Sequence, residues 1–151
     1  MKYFAYGSNI SINRMVNERK INYISRELAI LENYKLVFNK ISKKNNKLGF
    51  ANIVESDGDF VEGVLYELNY DDLKIIDKFE GANTNPKHYY QKIITVINNN
   101  IPIQAITYVA NPLMLNNDIK PSRQYLNYIL DGKDVFSNEY YTYLKSIITV
   151  D

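Results

Sequence analysis

The segment Phe60-Val61-Glu62-Gly63-Val64-Leu65-Tyr66-Glu67-Leu68 constrains the fold more than any other. It is the richest strand-like run in the chain, and its Gly63 marks a bulge or a close backbone approach within a core strand. Further strand-like segments precede it at Leu28–Leu31, Tyr34–Phe38 and Ala51–Val54. A short aromatic run, residues 2–6, stops at Gly7-Ser8-Asn9 as a strand entering a loop would. Downstream, Tyr90–Ile97 and Ile103–Val109 read as a strand pair turning at Asn98-Asn99-Asn100.

Helical periodicity fills the gaps. From Ser11 to about Arg19, Ile12, Met15 and Val16 recur at helical spacing. Asn69 offers an N-cap for a short helix in which Asp71 and Asp72 occupy the first turn, Leu73, Ile76 and Phe79 line one face, and Gly81 marks the stop. Ser122 caps a helix that buries Leu126, Ile129 and Leu130 and stops at Gly132, and Ser137 starts another with Tyr140, Leu144, Ile147 and Ile148. The order predicts an α+β fold: one domain over residues 1–151, with a mixed, barrel-like sheet and helices packed around it.

Composition narrows the function. With 18 basic and 17 acidic residues the net charge is +1, too little to hold a polyanion or an acidic membrane, so nucleic acid is not an expected partner. The chain has no Cys and a single His88, which removes thiolate chemistry and leaves no ordinary metal site; neither metal nor cofactor is expected. No apolar run approaches the roughly 20 residues of a membrane span and no signal-peptide stretch follows Met1, so the expected location is the cytoplasm. The run Ser42-Lys43-Lys44-Asn45-Asn46-Lys47 lacks aromatic interleaving and reads as a solvated loop tip, and His88 as a surface loop residue.

Two places can carry chemistry. Tyr6-Gly7-Ser8-Asn9-Ile10 is a strand end turning through small residues towards a helix, where unpaired backbone N–H groups suit an anion and Gly allows unusual φ values and close approach. An ordinary turn capped by Ser8 or Asn9 explains the same letters. Glu80, between Phe79 and Gly81, faces the negative end of its helix dipole; if it is also partly buried, its pKa rises towards the range useful for general acid–base work. A solvent-facing Glu beside a C-terminal Gly is the plain alternative.

Taken together these residues resemble the γ-glutamylcyclotransferase family along nearly the whole chain. Four blocks carry the likeness: Tyr3-Phe4-Ala5-Tyr6-Gly7-Ser8-Asn9; Val61 to Leu68; Asp77-Lys78-Phe79-Glu80-Gly81; and Pro121-Ser122-x-x-Tyr125 with Glu139-Tyr140. The resemblance implies a small mixed barrel whose open end holds the ligand. Tyr6, Gly7, Ser8, Asn9 and Ile10 would grip a γ-glutamyl moiety, Glu80 would shuttle protons, and Tyr90 and Tyr108 would lie beside the ligand, with Tyr89 as the alternative to Tyr90. Ile10 stands where Leu or Met is more usual, and Arg19-Lys20-Ile21 replaces a Cys-Pro pair at a position read as structural.

The implied reaction needs no enzyme nucleophile. The substrate's own α-amine closes a five-membered ring on the γ-carbonyl, giving 5-oxoproline and a free amine, and such intramolecular attack can carry effective molarities on the order of 10⁵ M. Tyr-Gly-Ser-Asn is similar to the branch acting on γ-glutamyl amino acids or small peptides. A γ-glutamylamine, a γ-glutamyl-protected biosynthetic intermediate, and a non-catalytic binding module are the competing readings.

Overall fold

The computed structural model describes all 151 residues. Five strands, β1 (Lys2–Ala5), β2 (Ser25–Ile41), β3 (Gly49–Glu67), β4 (Tyr89–Asn98) and β5 (Ile101–Ala110), close into a barrel in the order β1-β3-β2-β4-β5. All neighbours are antiparallel except at the seam, where β1 runs parallel to β5 with Tyr3 opposite Ile106. Three helices pack outside it: α1 (Tyr70–Phe79), α2 (Arg123–Leu130) and α3 (Asn138–Lys145). No helix is long and apolar enough to cross a membrane.

The α+β barrel of the sequence reading is present, with longer strands. The expected pieces 28–31 and 34–38 are one strand, β2, and 51–54 and 60–68 fall within β3 but for its last residue, Leu68. Between the two β2 pieces Asn33 has φ +62° and stands opposite four unpaired β3 residues, 56–59, so the β2–β3 register shifts there, and its side chain accepts a 3.1 Å hydrogen bond from the Gly58 N–H. Such an irregularity bends a strand without ending it.

Gly63 resolves the other way. Its pairing with Ala29 is in register, and a Cβ there would lie 2.5 Å from the Ala5 carbonyl oxygen and 2.7 Å from the Phe4 ring. It is a close approach that lets β1 lie across β3. The β4–β5 hairpin turns tightly at Asn99 and Asn100, both at positive φ (+50° and +63°), as a two-residue type I′ connection needs.

The expected helix after the first loop is not regular α-helix. Ser8–Ile10 form a 3₁₀ turn and Asn13–Glu18 a π-helical one, which buries Met15 but leaves Ile12 exposed. In α1, Leu73 and Ile76 are buried as expected, whereas Phe79 is largely exposed at the cavity rim. Ser122 and Ser137 do cap α2 and α3, each accepting a 3.1 Å bond from the N–H three residues on. α3 ends at Lys145, so Ile148 lies beyond it and is exposed.

Candidate active site

Helix α1 ends in a Schellman turn. The Ala82 N–H donates to the Asp77 carbonyl at 2.9 Å and the Gly81 N–H to that of Lys78 at 3.2 Å, with Gly81 at φ +61°. Only a residue tolerant of the left-handed region fits there, and the turn fixes the preceding Glu80 at the helix end. Its side chain points into a cavity of about 320 Å³ at the barrel mouth. Burial raises the Glu80 pKa, a shift opposed in part by Arg19 first and then by Lys43, Arg14 and Lys40.

The opposite rim is the turn after β1. Gly7 has an ordinary φ of −112°, so the requirement for Gly is room and not left-handed backbone: a Cβ would sit 3.1 Å from the Ala51 Cβ and 3.3 Å from the Tyr125 hydroxyl. The amides of Gly7, Ser8 and Asn9 precede the turn's first internal bond, Ile10 N–H to the Gly7 carbonyl at 3.1 Å, and are free of that turn. A single 3₁₀ turn brings no long helix dipole with it. Neither Ser8 nor Asn9 acts as its cap. Instead the Asn9 amide donates to Glu80 Oε1 at 3.2 Å and to the Tyr3 hydroxyl at 3.0 Å, while its Oδ1 accepts from Arg19 Nη1 at 2.6 Å.

The turn is braced from below. Fully buried Tyr66 donates to the Asn9 carbonyl at 2.7 Å, and Arg26 Nη2 to the Ile10 carbonyl at 2.9 Å. Ile10 itself points away from the cavity into the core, against Gly132 of the segment after α2.

Tyrosines line the rest. Tyr3, Tyr6, Tyr89, Tyr108 and Tyr125 face the cavity, and burial raises the pKa of each, that of Tyr125 to about 12, so all are neutral hydroxyls at physiological pH. Tyr6 donates to the Tyr108 carbonyl and Tyr108 to Asp77, and Tyr89 donates to the Ala51 carbonyl at 2.8 Å. The Tyr125 hydroxyl accepts from the Ala51 N–H at 3.0 Å, which leaves its proton available beside Gly7.

Tyr6, Gly7, Ser8, Asn9, Tyr108 and Glu80 therefore come together, and two expected residues do not. Ile10 is a core residue. Tyr90 is 45% exposed on the outer face of β4, and its neighbour Tyr89 occupies the inner face. Sequence reasoning missed Tyr3, Tyr125 and, above all, Arg19, whose position reads as structural. Its guanidinium stacks 4.6 Å over the Phe79 ring and lies 4.0 Å from Glu80 Oε1. The loop run 43–47 is exposed as expected and His88 partly so, but Lys43 and Lys44 also line the cavity, and His88 accepts or shares a 2.8 Å hydrogen bond with the fully buried Lys40.

A closed mixed barrel thus presents one partly buried carboxylate against a Gly-Ser-Asn turn, at the mouth of a cavity of small-molecule size. The chain belongs to the family described as gamma-glutamyl cyclotransferase, AIG2-like, which it matches over residues 3–129. It is 36% identical over 85 residues to a gamma-glutamylcyclotransferase of Bos taurus, and 34% identical over 85 residues to the Homo sapiens protein of that name. Each match covers 54% of this chain and 45% of the relative, so less than half of the curated relatives' length is matched. A solved structure titled gamma-glutamyl cyclotransferase superposes with a TM-score of 0.83 at 28% identity, over 100% of this chain and 89% of the other.

Proposed function

We propose that the protein is a γ-glutamylcyclotransferase, converting a γ-glutamyl amino acid or small γ-glutamyl peptide to 5-oxoproline with release of the free amine. The observation that carries this reading is Glu80: the one carboxylate lining the cavity, with its pKa raised by burial and its Oε1 held by Asn9 from the first loop.

The chemistry follows from proton bookkeeping. The substrate's α-nitrogen begins as an ammonium and ends as a lactam N–H, so two protons leave it. The departing nitrogen begins as an amide N–H and ends as an ammonium, so it gains two. Attack of the α-nitrogen on the γ-carbonyl carbon forms one C–N bond, and collapse of the tetrahedral intermediate breaks the other. One carboxylate placed between both nitrogens can relay the protons in turn, and a raised pKa makes it a better acceptor in the first step. The free amides of the Gly7–Asn9 turn suit the substrate's α-carboxylate, and the Tyr125 hydroxyl beside them is a neutral donor for the developing oxyanion. Neither needs a metal or cofactor. The reading makes the enzyme cytoplasmic and its partner a small molecule, in keeping with a cavity of about 320 Å³ and a net charge of only +1.

The test incubates the pure protein with γ-glutamyl compounds in H₂¹⁸O. Unlabelled 5-oxoproline with stoichiometric amine is expected, dependent on Glu80, and N-acetylating the substrate's α-nitrogen should stop turnover. Labelled glutamate as the main product would overturn cyclisation in favour of hydrolysis.

A further inference from the structure

The cavity is far more basic than the chain. Arg14, Arg19, Lys40, Lys43 and Lys44 line it against the single carboxylate of Glu80, in a protein whose net charge is only +1. The arginines have protein partners: Arg14 pairs with Glu18 at 3.3 Å, and Arg19 is bonded to Asn9. The three lysines form no ion pair with any protein carboxylate.

Their arrangement is specific. Lys40 is buried between the rings of Phe50 and Tyr89, 5.9 and 5.5 Å from their centroids, and its ammonium is fixed by the Ile41 carbonyl at 2.7 Å and by His88 Nδ1 at 2.8 Å. Lys43, from the loop between β2 and β3, reaches back so that its Nζ lies 3.0 Å from where a Cβ on Gly81 would stand, directly beside Glu80. Lys43 and Lys40 repel one another: together with burial, Lys43 lowers the Lys40 pKa to about 8. Glu80 offsets this repulsion only in part, and a bound anion would relieve the remainder.

Their place in the cavity wall decides which part of a substrate they meet. Asn9 and Arg19 approach Glu80 Oε1, at 3.2 and 4.0 Å, whereas Lys43 meets the chain at Gly81 and His88 and Lys40 is bonded to His88. The two nitrogens that Glu80 must serve diverge from the γ-carbonyl carbon. With the glutamyl group held by the Gly7–Asn9 turn, the lysines are the part of the cavity wall left to meet the departing amine.

Resting on the cyclotransferase reading, we propose that Lys43 and Lys44, backed by the Lys40–His88 pair, form a leaving-amine subsite for a dicarboxylate. The preferred substrates are then γ-glutamyl conjugates of acidic amino acids. A single carboxylate leaves this wall with unbalanced positive charge, and a cationic amine is repelled.

The experiment compares kcat/KM for γ-glutamyl-glutamate, γ-glutamyl-alanine and γ-glutamyl-propylamide, scored as 5-oxoproline, for the wild type and a Lys43→Gln/Lys44→Gln variant. Both lysines are exposed, so the variant should fold. The wild type should favour the glutamate conjugate over the alanine conjugate by about tenfold at low ionic strength, less at high salt, and the variant should lose most of that ratio. Equal rates for the two conjugates in the wild type, or an unchanged ratio in the variant, would overturn the subsite while leaving the cyclotransferase reading intact. No 5-oxoproline from any of the three would overturn both.

Discussion

Asn9 and Glu80, 71 positions apart, are joined by a 3.2 Å hydrogen bond across the barrel mouth, and Arg19 secures the far side of the same amide. The carboxylate is thus oriented by a residue of the turn whose backbone amides are free. In the cyclotransferase reading we propose, substrate position and proton-shuttle position are set by one piece of backbone.

Replacing Glu80 by Gln should lower turnover by at least about 10², the low end for a general acid–base residue. Stability should move the opposite way at neutral pH. Burial holds the native carboxyl above its unfolded value, so its contribution is full below the ordinary carboxylate range and is lost as pH rises through the raised native pKa. Chemical denaturation at pH 7 and pH 4 checks this: the Glu80→Gln variant should gain on the wild type at pH 7 and lose that gain at pH 4.

Arg19 acts on Glu80 through charge as well as through Asn9. It is the largest influence lowering the Glu80 pKa, so Arg19→Gln should push the carboxyl further up. The acidic limb of the kcat/KM profile should then move to higher pH, whereas a merely structural role would reduce rates without moving it. Arg19→Lys should restore most of the limb's position but not the full rate, having no planar fork to hold Asn9.

Lys40 gives a second pH signature. Its native pKa of about 8 lies below the unfolded value of 10.5, so between these values the unfolded state binds more protons and native stability rises with pH. Against Lys40→Met, the wild type should gain up to about 1.4 kcal/mol per pH unit across that window. Parallel stability profiles would refute the assignment.

Gly81→Ala should cost about 1–2 kcal/mol from the φ of +61° alone. Its methyl would also press on the His88 Cβ and Lys43 Nζ, each at 3.0 Å. Activity should fall further than stability, because the turn that strains is the one that aims Glu80. Thermal melts alongside initial rates separate the two effects.

Much of this architecture is legible in the sequence where one local pattern decides it. The Ser122 and Ser137 caps, the Asn99-Asn100 hairpin and the Glu80-Gly81 helix end are all such cases. Legibility fails where distant partners decide. The strand-like pieces stop short of Asn33 and of the Ser56–Asp59 stretch, yet β2 and β3 run through both and pair on either side. Tyr89 and Tyr90 differ only in which face of β4 they occupy, and a one-residue slip exchanges the two faces. Arg19 sits in no motif of its own. Only the fold of the π-helical turn brings it to Glu80, and only the return of the β2–β3 loop carries Lys43 there from the other side.

The parallel seam between β1 and β5 has a consequence for how such a site comes into being. Tyr3 pairs with Tyr66 on one side and Ile106 on the other, so β1 cannot be locked in until both distant strands exist. Closing loops of that length is entropically expensive and slow. Helix α1 and Glu80 precede β4 and β5 in the chain, and those strands supply Tyr89, Thr107 and Tyr108 to the cavity wall, so the surroundings that raise the carboxyl's pKa are whole only once the barrel is closed.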